Sequence, residues 1–337
     1  MDWRDRLPDE ISGVRHTSSG FVASVSIPTD DEGFFGRACP ACERFFKMRV
    51  DDWAALPDDV KITCPYCGER PDDPGDFLTE EQTAFSTSAA VAMAEQYAAE
   101  QVAKMFKGLK TRGSRRSGIR IKVTSRPPPR VSLDAYIEDK VRRVVSCDNC
   151  GTAHAVYGAT AFCPVCGPRP AASTVLEAID RARLSLALED ALPEDLRETS
   201  RAEGIFDKTA EDAAKEIVTL LEVFARDQFF TRVPGAETIV KGMGNVFQRV
   251  DDLDQLFAAN AGFAISALVD AATWERLQIV AQQRHVLAHN RGIIDQKYLD
   301  RVPGARQAVG QKLNVSRADA EAALNALDAV VRAVAEE

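Results

Sequence analysis

The chain has 337 residues, of which 45% are hydrophobic and 28% are charged, and its formal net charge is −9. This composition excludes a disordered or fibrous protein and supplies enough apolar side chains for two or three domains with ordinary cores. No apolar run reaches the roughly 18 residues of a membrane span, and the N-terminal stretch MDWRDRLPDE is too polar for a signal peptide. We therefore expect a cytoplasmic protein with no membrane partner.

The first predicted domain, residues 1–78, contains a strand and a zinc ribbon. Apolar and polar residues alternate in FVASVSI, residues 21–27, which predicts a strand. Two C-x-x-C pairs follow, Cys39 with Cys42 and Cys64 with Cys67. Two cysteines three apart on a tight turn can place both thiolates about 2.3 Å from one ion. Aromatic residues around the first pair are expected to form the small core of this ribbon, namely Phe34, Phe35, Phe45, Phe46 and Trp53.

Residues 79–130 are predicted to be a long helix followed by a basic, proline-rich linker. Thr79 and Gln82 are spaced as a capping box at the start of the helix, which we expect to end near Leu109. No acidic residue occurs between residues 101 and 130, so an anionic partner such as a nucleic-acid backbone is one interpretation. The predicted nucleic-acid contacts are Arg112, Arg115, Arg116, Arg120 and Lys122. The other interpretation, a solvated linker that pairs with the acidic N-terminal region, stays open.

A second zinc ribbon is predicted in residues 131–172. Its ligands would be Cys147, Cys150, Cys163 and Cys166. Disulfides are rare in a reducing compartment, and a redox C-x-x-C normally occurs once, beside a βαβ pattern that this chain lacks. We therefore expect two structural Zn²⁺ ions per chain, and no catalytic metal, because four thiolates leave no coordination position open.

The remainder of the chain is predicted to be helical, with a connector over residues 173–204 and an all-α bundle over residues 205–337. Apolar residues recur at helical spacing in Ile217, Leu220, Leu221 and Phe224, in Phe247, Val250, Leu253 and Phe257, and in Leu324, Leu327, Val331 and Val334. Capping boxes are predicted at Thr209 with Asp212 and at Ser316 with Asp319. A further helix is expected over residues 271–290. The predicted fold class is thus multidomain, two small α+β ribbons followed by a helical bundle.

The segment QQRHVLAHNRGIID carries the strongest functional signal. It places Arg284, His285 and His289 within six residues, late in a predicted helix and before a turn. This arrangement resembles the motif of the HEPN superfamily of helical ribonucleases, in which an arginine precedes a polar residue, three further residues and a histidine. The resemblance covers about residues 205–337 and does not extend to the ribbons.

The resemblance implies a metal-independent endoribonuclease that cleaves RNA by attack of the 2′-hydroxyl and leaves a 2′,3′-cyclic phosphate and a 5′-hydroxyl. It also implies a homodimer and a role as a regulated toxin or antiviral phage-defence effector, with a regulatory protein or nucleic acid as a possible trigger. The residue types suit this chemistry, because histidine transfers protons near neutral pH and arginine binds phosphate oxygens. We predict Arg284 and His289 as catalytic residues and His285 and Asn290 as residues that orient them.

The spacing of the motif supports the expected dimer. Residues five apart on a helix diverge by about 140°, so Arg284 and His289 should not share one face. A single helix would then make a poor site. In the resembled family, two motifs from two subunits face a common cleft.

Other interpretations of the motif remain. His285 and His289 could bind a metal ion, although no third ligand is evident nearby. The segment could also be a polar helix end in a non-catalytic protein that binds nucleotides or proteins. A toxin–antitoxin variant with a modified tyrosine is not supported, because position 291 is an arginine. The alternative for the whole chain is a non-enzymatic regulator whose ribbons bind nucleic acid and whose helical domain dimerises.

Overall fold

The computed structural model describes residues 3–18, 20–57, 59–109, 143–302 and 304–337. The chain divides into two compact units, Met1–Pro168 and Arg169–Glu337. Within the described ranges, no helix combines the length and the apolar character needed to cross a bilayer. The predicted nucleic-acid contacts lie outside the described residues: Arg112, Arg115, Arg116, Arg120 and Lys122.

The N-terminal unit combines short strands with one long helix. Its strands are β1 (Ile11–Thr17), β2 (Gly20–Val25), β3 (Phe34–Ala38), β4 (Phe45–Arg49), β5 (Arg143–Ser146), β6 (Ala153–Val156), β7 (Phe162–Cys163) and β8 (Gly167–Pro168), and its helices are α1 (Val50–Ala54) and α2 (Glu80–Leu109). The predicted strand at residues 21–27 corresponds to β2, which pairs with β1 in an antiparallel hairpin. The ring of Trp3 contacts Phe21 of this hairpin and Tyr97 of α2. These contacts pack the hairpin against the long helix.

Helix α2 begins at the capping box that the sequence predicts. The backbone N–H of Gln82 donates to Thr79 Oγ1 at 3.2 Å, and the N–H of Thr79 donates to Gln82 Oε1 at 3.3 Å. The buried Gln82 amide also donates to the carbonyl of Gly36 in β3, at 2.8 Å. The cap therefore fixes the start of the helix to the sheet as well as satisfying its first backbone donors.

The strands of the two cysteine-rich regions form one sheet, in the order β3-β4-β6-β5. Strands β4 and β6 pair antiparallel, with Lys47 opposite Ala155. The sequence assigns these strands to separate domains, residues 1–78 and 131–172, but each hairpin covers the exposed edge of the other. Pairing two short hairpins in this way satisfies backbone groups that each would leave open.

The two hairpins have equivalent backbone geometry. The N–H of Cys39 donates to the carbonyl of Arg44 at 3.1 Å, and the N–H of Cys147 donates to the carbonyl of Thr152 at 3.0 Å. Glu43 and Gly151, at matching positions in these turns, both have positive φ angles, of 58° and 75°. The sheet therefore combines two hairpins with similar turns.

The C-terminal unit is all-α, as predicted. Its helices are α3 (Ala171–Ala191), α4 (Glu194–Ala202), α5 (Ile205–Arg232), α6 (Ala236–Ile239), α7 (Val250–Asn260), α8 (Ala271–His289), α9 (Gln296–Arg301) and α10 (Arg317–Glu336). Its single core contains most of the apolar residues identified at helical spacing, including Ile217, Leu253 and Leu324. Leu220 is only partly buried at the edge of this core.

The sequence places residues 173–204 outside the bundle, and this boundary is wrong for α3. Val175, Ile179 and Leu186 of α3 are buried in the same core as residues of α5 and α10. Small and apolar side chains recur every three or four residues along α3, which gives it an apolar face. The unit accordingly begins at Arg169.

The predicted helix ends are partly confirmed. The Ser316 and Asp319 capping box is present at the start of α10, and α8 spans nearly all of the predicted residues 271–290. The Thr209 and Asp212 box is wrong, because α5 begins at Ile205, after a glycine with a φ of 70°. Thr209 lies inside the helix, where its hydroxyl donates to the carbonyl of Ile205 at 2.9 Å.

Candidate functional site

The eight cysteines form two groups of four, with the membership that their spacing predicts. Within each group the sulfur atoms all lie within 4.8 Å of one another. The closest Sγ–Sγ distances are 3.6 Å for Cys39–Cys67, 3.8 Å for Cys42–Cys64, 3.5 Å for Cys147–Cys166 and 3.6 Å for Cys150–Cys163. A tetrahedral zinc ion bound at about 2.3 Å separates its sulfur ligands by about 3.8 Å. The groups therefore fit one metal ion each, and the eight thiols are free of disulfides.

The second C-x-x-C turn of each group, residues 64–67 and 163–166, is called its second knuckle, and a backbone amide of each knuckle donates to sulfur. The N–H of Tyr66 donates to Cys64 Sγ and the N–H of Val165 donates to Cys163 Sγ, both at 3.4 Å. Burial nevertheless raises the pKa of the Cys64 and Cys163 thiols. A bound dication reverses this preference, because a coordinating thiol is deprotonated by the ion. The donor set thus suits a metal ion better than free thiols.

The two groups support each other through their second knuckles. The N–H of Thr63 donates to the carbonyl of Pro164 at 2.8 Å, and the N–H of Phe162 donates to the carbonyl of Pro65 at 3.2 Å. Each bond runs from the residue before one cysteine to the proline inside the other knuckle. A displacement of one cysteine group should therefore shift the other.

The helical unit contains a cleft of about 700 Å³ that brings together the motif residues Arg284, His285 and His289. The first turn of α7, the last turns of α8 and the short helix α9 form its walls. The charged and imidazole side chains that line it are Arg249, Asp251, Asp252, Arg284, His285, His289, Lys297 and Arg301. Asn290 does not line the cleft, because it caps the C-terminus of α8.

Both predicted catalytic residues of one chain line the cleft. Arg284 and His289 diverge on the helix, as their spacing requires, yet both lie on the cleft wall. One chain therefore brings both residues to the same cleft, and the homodimer stays a prediction.

The two histidines are neighbours with different surroundings. Their ring centroids lie 5.1 Å apart, and the ring planes are inclined by 51°. His285 is half-buried, whereas His289 is exposed. Burial lowers the pKa of His285 below its usual value, and the nearby positive charge of Lys297 lowers it further. His285 is therefore favoured in its neutral form.

The acidic residues of the cleft are already engaged. The carboxylate of Asp252 pairs with Arg249, and Asp251 Oδ1 accepts a hydrogen bond from Gln278 Nε2 at 2.6 Å. In the described part of the chain, neither Arg284 nor Lys297 has a hydrogen-bond or ion-pair partner. The cleft thus offers unpaired positive charge beside two imidazoles, an arrangement that suits an anion.

Asn290 holds α9 in place at the edge of the cleft. Its Nδ2 donates to Asp295 Oδ2 at 2.8 Å, and Asp295 Oδ1 accepts the N–H of Tyr298 at 2.9 Å as the N-cap of α9. Helix α9 contributes Lys297 and Arg301 to the cleft lining, and both positive charges act on His285. These two cations lie outside the sequence motif, although their spacing of four residues places them on one helix face.

The metal-pair interpretation of His285 and His289 gains no support from the geometry. Among the described residues, only the two cysteine groups bring three or more ligand side chains together. A histidine pair without a third protein ligand is incomplete as a zinc site.

No protein-family model, no curated protein and no solved structure matches the chain. A functional assignment therefore rests on the residues of the cleft and of the two cysteine groups.

Proposed function

We propose that the protein is a metal-independent endoribonuclease whose active site is the cleft in the helical unit. One observation carries this proposal: Arg284, His285 and His289 meet in a cleft whose carboxylates are engaged and whose Arg284 and Lys297 side chains lack partners within the described residues. A phosphodiester is an anion of the size and charge that such a cleft can bind.

The chemistry needs only groups that the cleft contains. RNA carries its own nucleophile, the 2′-hydroxyl, so the site must transfer protons and stabilise charge on the phosphate. His289 transfers a proton, and the guanidinium of Arg284 binds a non-bridging oxygen as negative charge builds up. His285 and Asn290 are supporting residues, and Asn290 acts through Asp295 at the start of α9. The products are a 2′,3′-cyclic phosphate and a 5′-hydroxyl.

In this proposal the cysteine groups hold one structural zinc ion each. The sulfur spacing and the N–H···S bonds support this assignment. Four thiolates fill the tetrahedron around each ion, so neither ion retains a position for water or substrate. The zinc ions stabilise the N-terminal unit, and RNA cleavage is confined to the helical unit.

The experiment that tests this function is RNA cleavage in the presence of EDTA. Wild-type protein should cut total RNA and leave 2′,3′-cyclic phosphate ends, and a variant with both Arg284→Ala and His289→Ala should not. Arg276→Ala is the matched control, because Arg276 lies on the same helix and pairs with Asp319 away from the cleft. Intact RNA with the wild type, together with binding of a nucleic-acid duplex, would instead support the non-enzymatic regulator.

The resemblance to toxins and phage-defence effectors extends the proposal to cells. Expression of the wild type should arrest growth, or reduce phage yield, because RNA cleavage stops translation. The Arg284→Ala variant expressed to the same level should do neither. Equal effects of the two proteins would contradict a role based on cleavage.

We retain the homodimer as part of the proposal, and complementation tests what it contributes. Arg284→Ala and His289→Ala chains would be co-expressed and purified together. Restored cleavage would show that Arg284 of one chain acts with His289 of the other. The presence of both residues in the cleft of one chain predicts no restoration beyond the two variants alone.

A further inference from the structure

The two histidines of the cleft differ in how far they are exposed to solvent, so they are not equivalent groups. His289 is exposed to solvent at the last turn of α8. His285 lies one turn deeper and is half-buried, although it still lines the cleft. Their ring centroids are 5.1 Å apart. With a hydrogen-bond reach of about 3 Å from each ring, one phosphate group can contact both.

Charged groups face His285 from every wall of the cleft. Helix α9 and its N-cap contribute Lys297 and Arg301, which oppose protonation of the imidazole, and Asp295, which favours it. Helix α8 contributes His289, which also opposes it, and the Arg284 guanidinium. The start of α7 contributes the ion pair of Arg249 with Asp252. It also contributes the carboxylate of Asp251, which is hydrogen-bonded. The net effect lowers the pKa of His285.

We propose that His285 is the general base of the reaction, that His289 is the general acid, and that Lys297 binds the scissile phosphate together with Arg284. This assignment rests on the proposed endoribonuclease function. It makes His285 a catalytic residue and not a residue that only orients its neighbours. Lys297 is suited to bind a phosphate oxygen, because within the described chain its ammonium group has no carboxylate partner.

The proton and electron balance of the step is complete within the cleft. Neutral His285 accepts the proton of the 2′-hydroxyl while the 2′-oxygen forms a bond to phosphorus. The bond between phosphorus and the 5′-oxygen breaks, and protonated His289 gives its proton to that leaving oxygen. The products are the cyclic phosphate and the free 5′-hydroxyl. Exchange with water then returns each histidine to its starting protonation state.

The assignment predicts a defined change in the pH profile. Removing the positive charge of Lys297 favours the protonated form of His285 and raises its pKa. In Lys297→Met, the part of the pH–rate profile in which the rate rises with pH should therefore move to higher pH. The rate at neutral pH should fall about tenfold or more. Lys312→Met is the matched control, because Lys312 is exposed and pairs with Glu211 away from the cleft.

A substrate with sulfur in place of the 5′-leaving oxygen separates the two histidine roles. A thiolate leaves without taking a proton, so this substrate does not need the general acid but still needs the base. The bond that the wild type cuts fastest would be replaced by this linkage in a short RNA. His289→Gln and His285→Gln would be assayed in EDTA with the normal and the sulfur-containing RNA.

With normal RNA, we expect each histidine variant to lose about 10²- to 10⁴-fold in rate. With the sulfur substrate, His289→Gln should recover to near the wild-type rate, and His285→Gln should stay slow. Recovery of His285→Gln, or near-normal cleavage of ordinary RNA by it, would overturn this assignment while leaving the proposed function intact. Failure of the wild type to cut any RNA would overturn the function and the assignment together.

Discussion

The two cysteine groups and the histidine cleft arrange reactive side chains in opposite ways. In each cysteine group, four sulfurs face one another within 4.8 Å and can complete a closed tetrahedron around one ion. In the cleft, Arg284 and Lys297 face an open volume and, among described groups, have no partner. Side chains that satisfy one another maintain a fold, whereas side chains held in place without partners are available to a ligand.

The two units also differ in how they are stabilised. Among the residues that the structure describes in the N-terminal unit, most buried apolar side chains fall into three small clusters, and four cysteines are buried. The helical unit buries one large continuous core. A small core rarely supports a domain without a metal or disulfide, so the N-terminal unit should depend on its ions and the helical unit should not.

The largest expected effect is that of zinc removal on the N-terminal unit. Structural zinc sites contribute about 10–16 kcal/mol of apparent binding free energy, much of which is folding free energy. Stripping zinc with a strong chelator should expose the amides of β4 and β6 to hydrogen exchange and leave those of α5 and α10 protected. Equal loss of protection in both units, or no loss in either, would contradict the comparison.

A cavity in the helical core should destabilise the helical unit and leave the N-terminal unit unaffected. Phe257 is fully buried and its ring packs against Phe229, with centroids 5.4 Å apart. Phe257→Ala should lower the free energy of unfolding by about 3–5 kcal/mol, measured by chemical denaturation.

The control for this variant is Leu188→Ala on α3, where the side chain is 59% exposed. It should change the free energy of unfolding by less than about 0.5 kcal/mol. Zinc content should stay at two ions per chain in both variants. A loss of zinc from Phe257→Ala would show that the stabilities of the two units are coupled.

A smaller effect tests whether the two metal groups are independent. Because the N–H of Thr63 donates to Pro164 and the N–H of Phe162 donates to Pro65, Cys64→Ser should weaken zinc binding at the second group as well as at the first. We expect about tenfold weaker binding at the second group, measured by competition with a chromogenic chelator. Unchanged affinity there would mean that these two hydrogen bonds do not transmit the change.

The sequence predicts those features that depend on residues close together in the chain. The C-x-x-C pairs, the Thr79 and Ser316 caps and the extent of α8 each depend on about three to twenty consecutive residues. The pairing of β4 with β6 and the packing of α3 depend on contacts across many residues, which a local pattern does not encode. The positions of Lys297 and Arg301 are hidden for the same reason, because α9 lies beside the motif through contacts such as the Asn290–Asp295 and Arg301–Gln282 hydrogen bonds.

The central claim is that metal ions maintain one unit while histidines carry out the chemistry in the other. The most direct test is to load the full chain with zinc, cobalt or cadmium in turn and to measure RNA cleavage at equal metal content. The account predicts rates within about twofold of one another, since the ions never contact the substrate. A rate that changes tenfold or more with the identity of the ion would place a metal in the reaction and contradict the account.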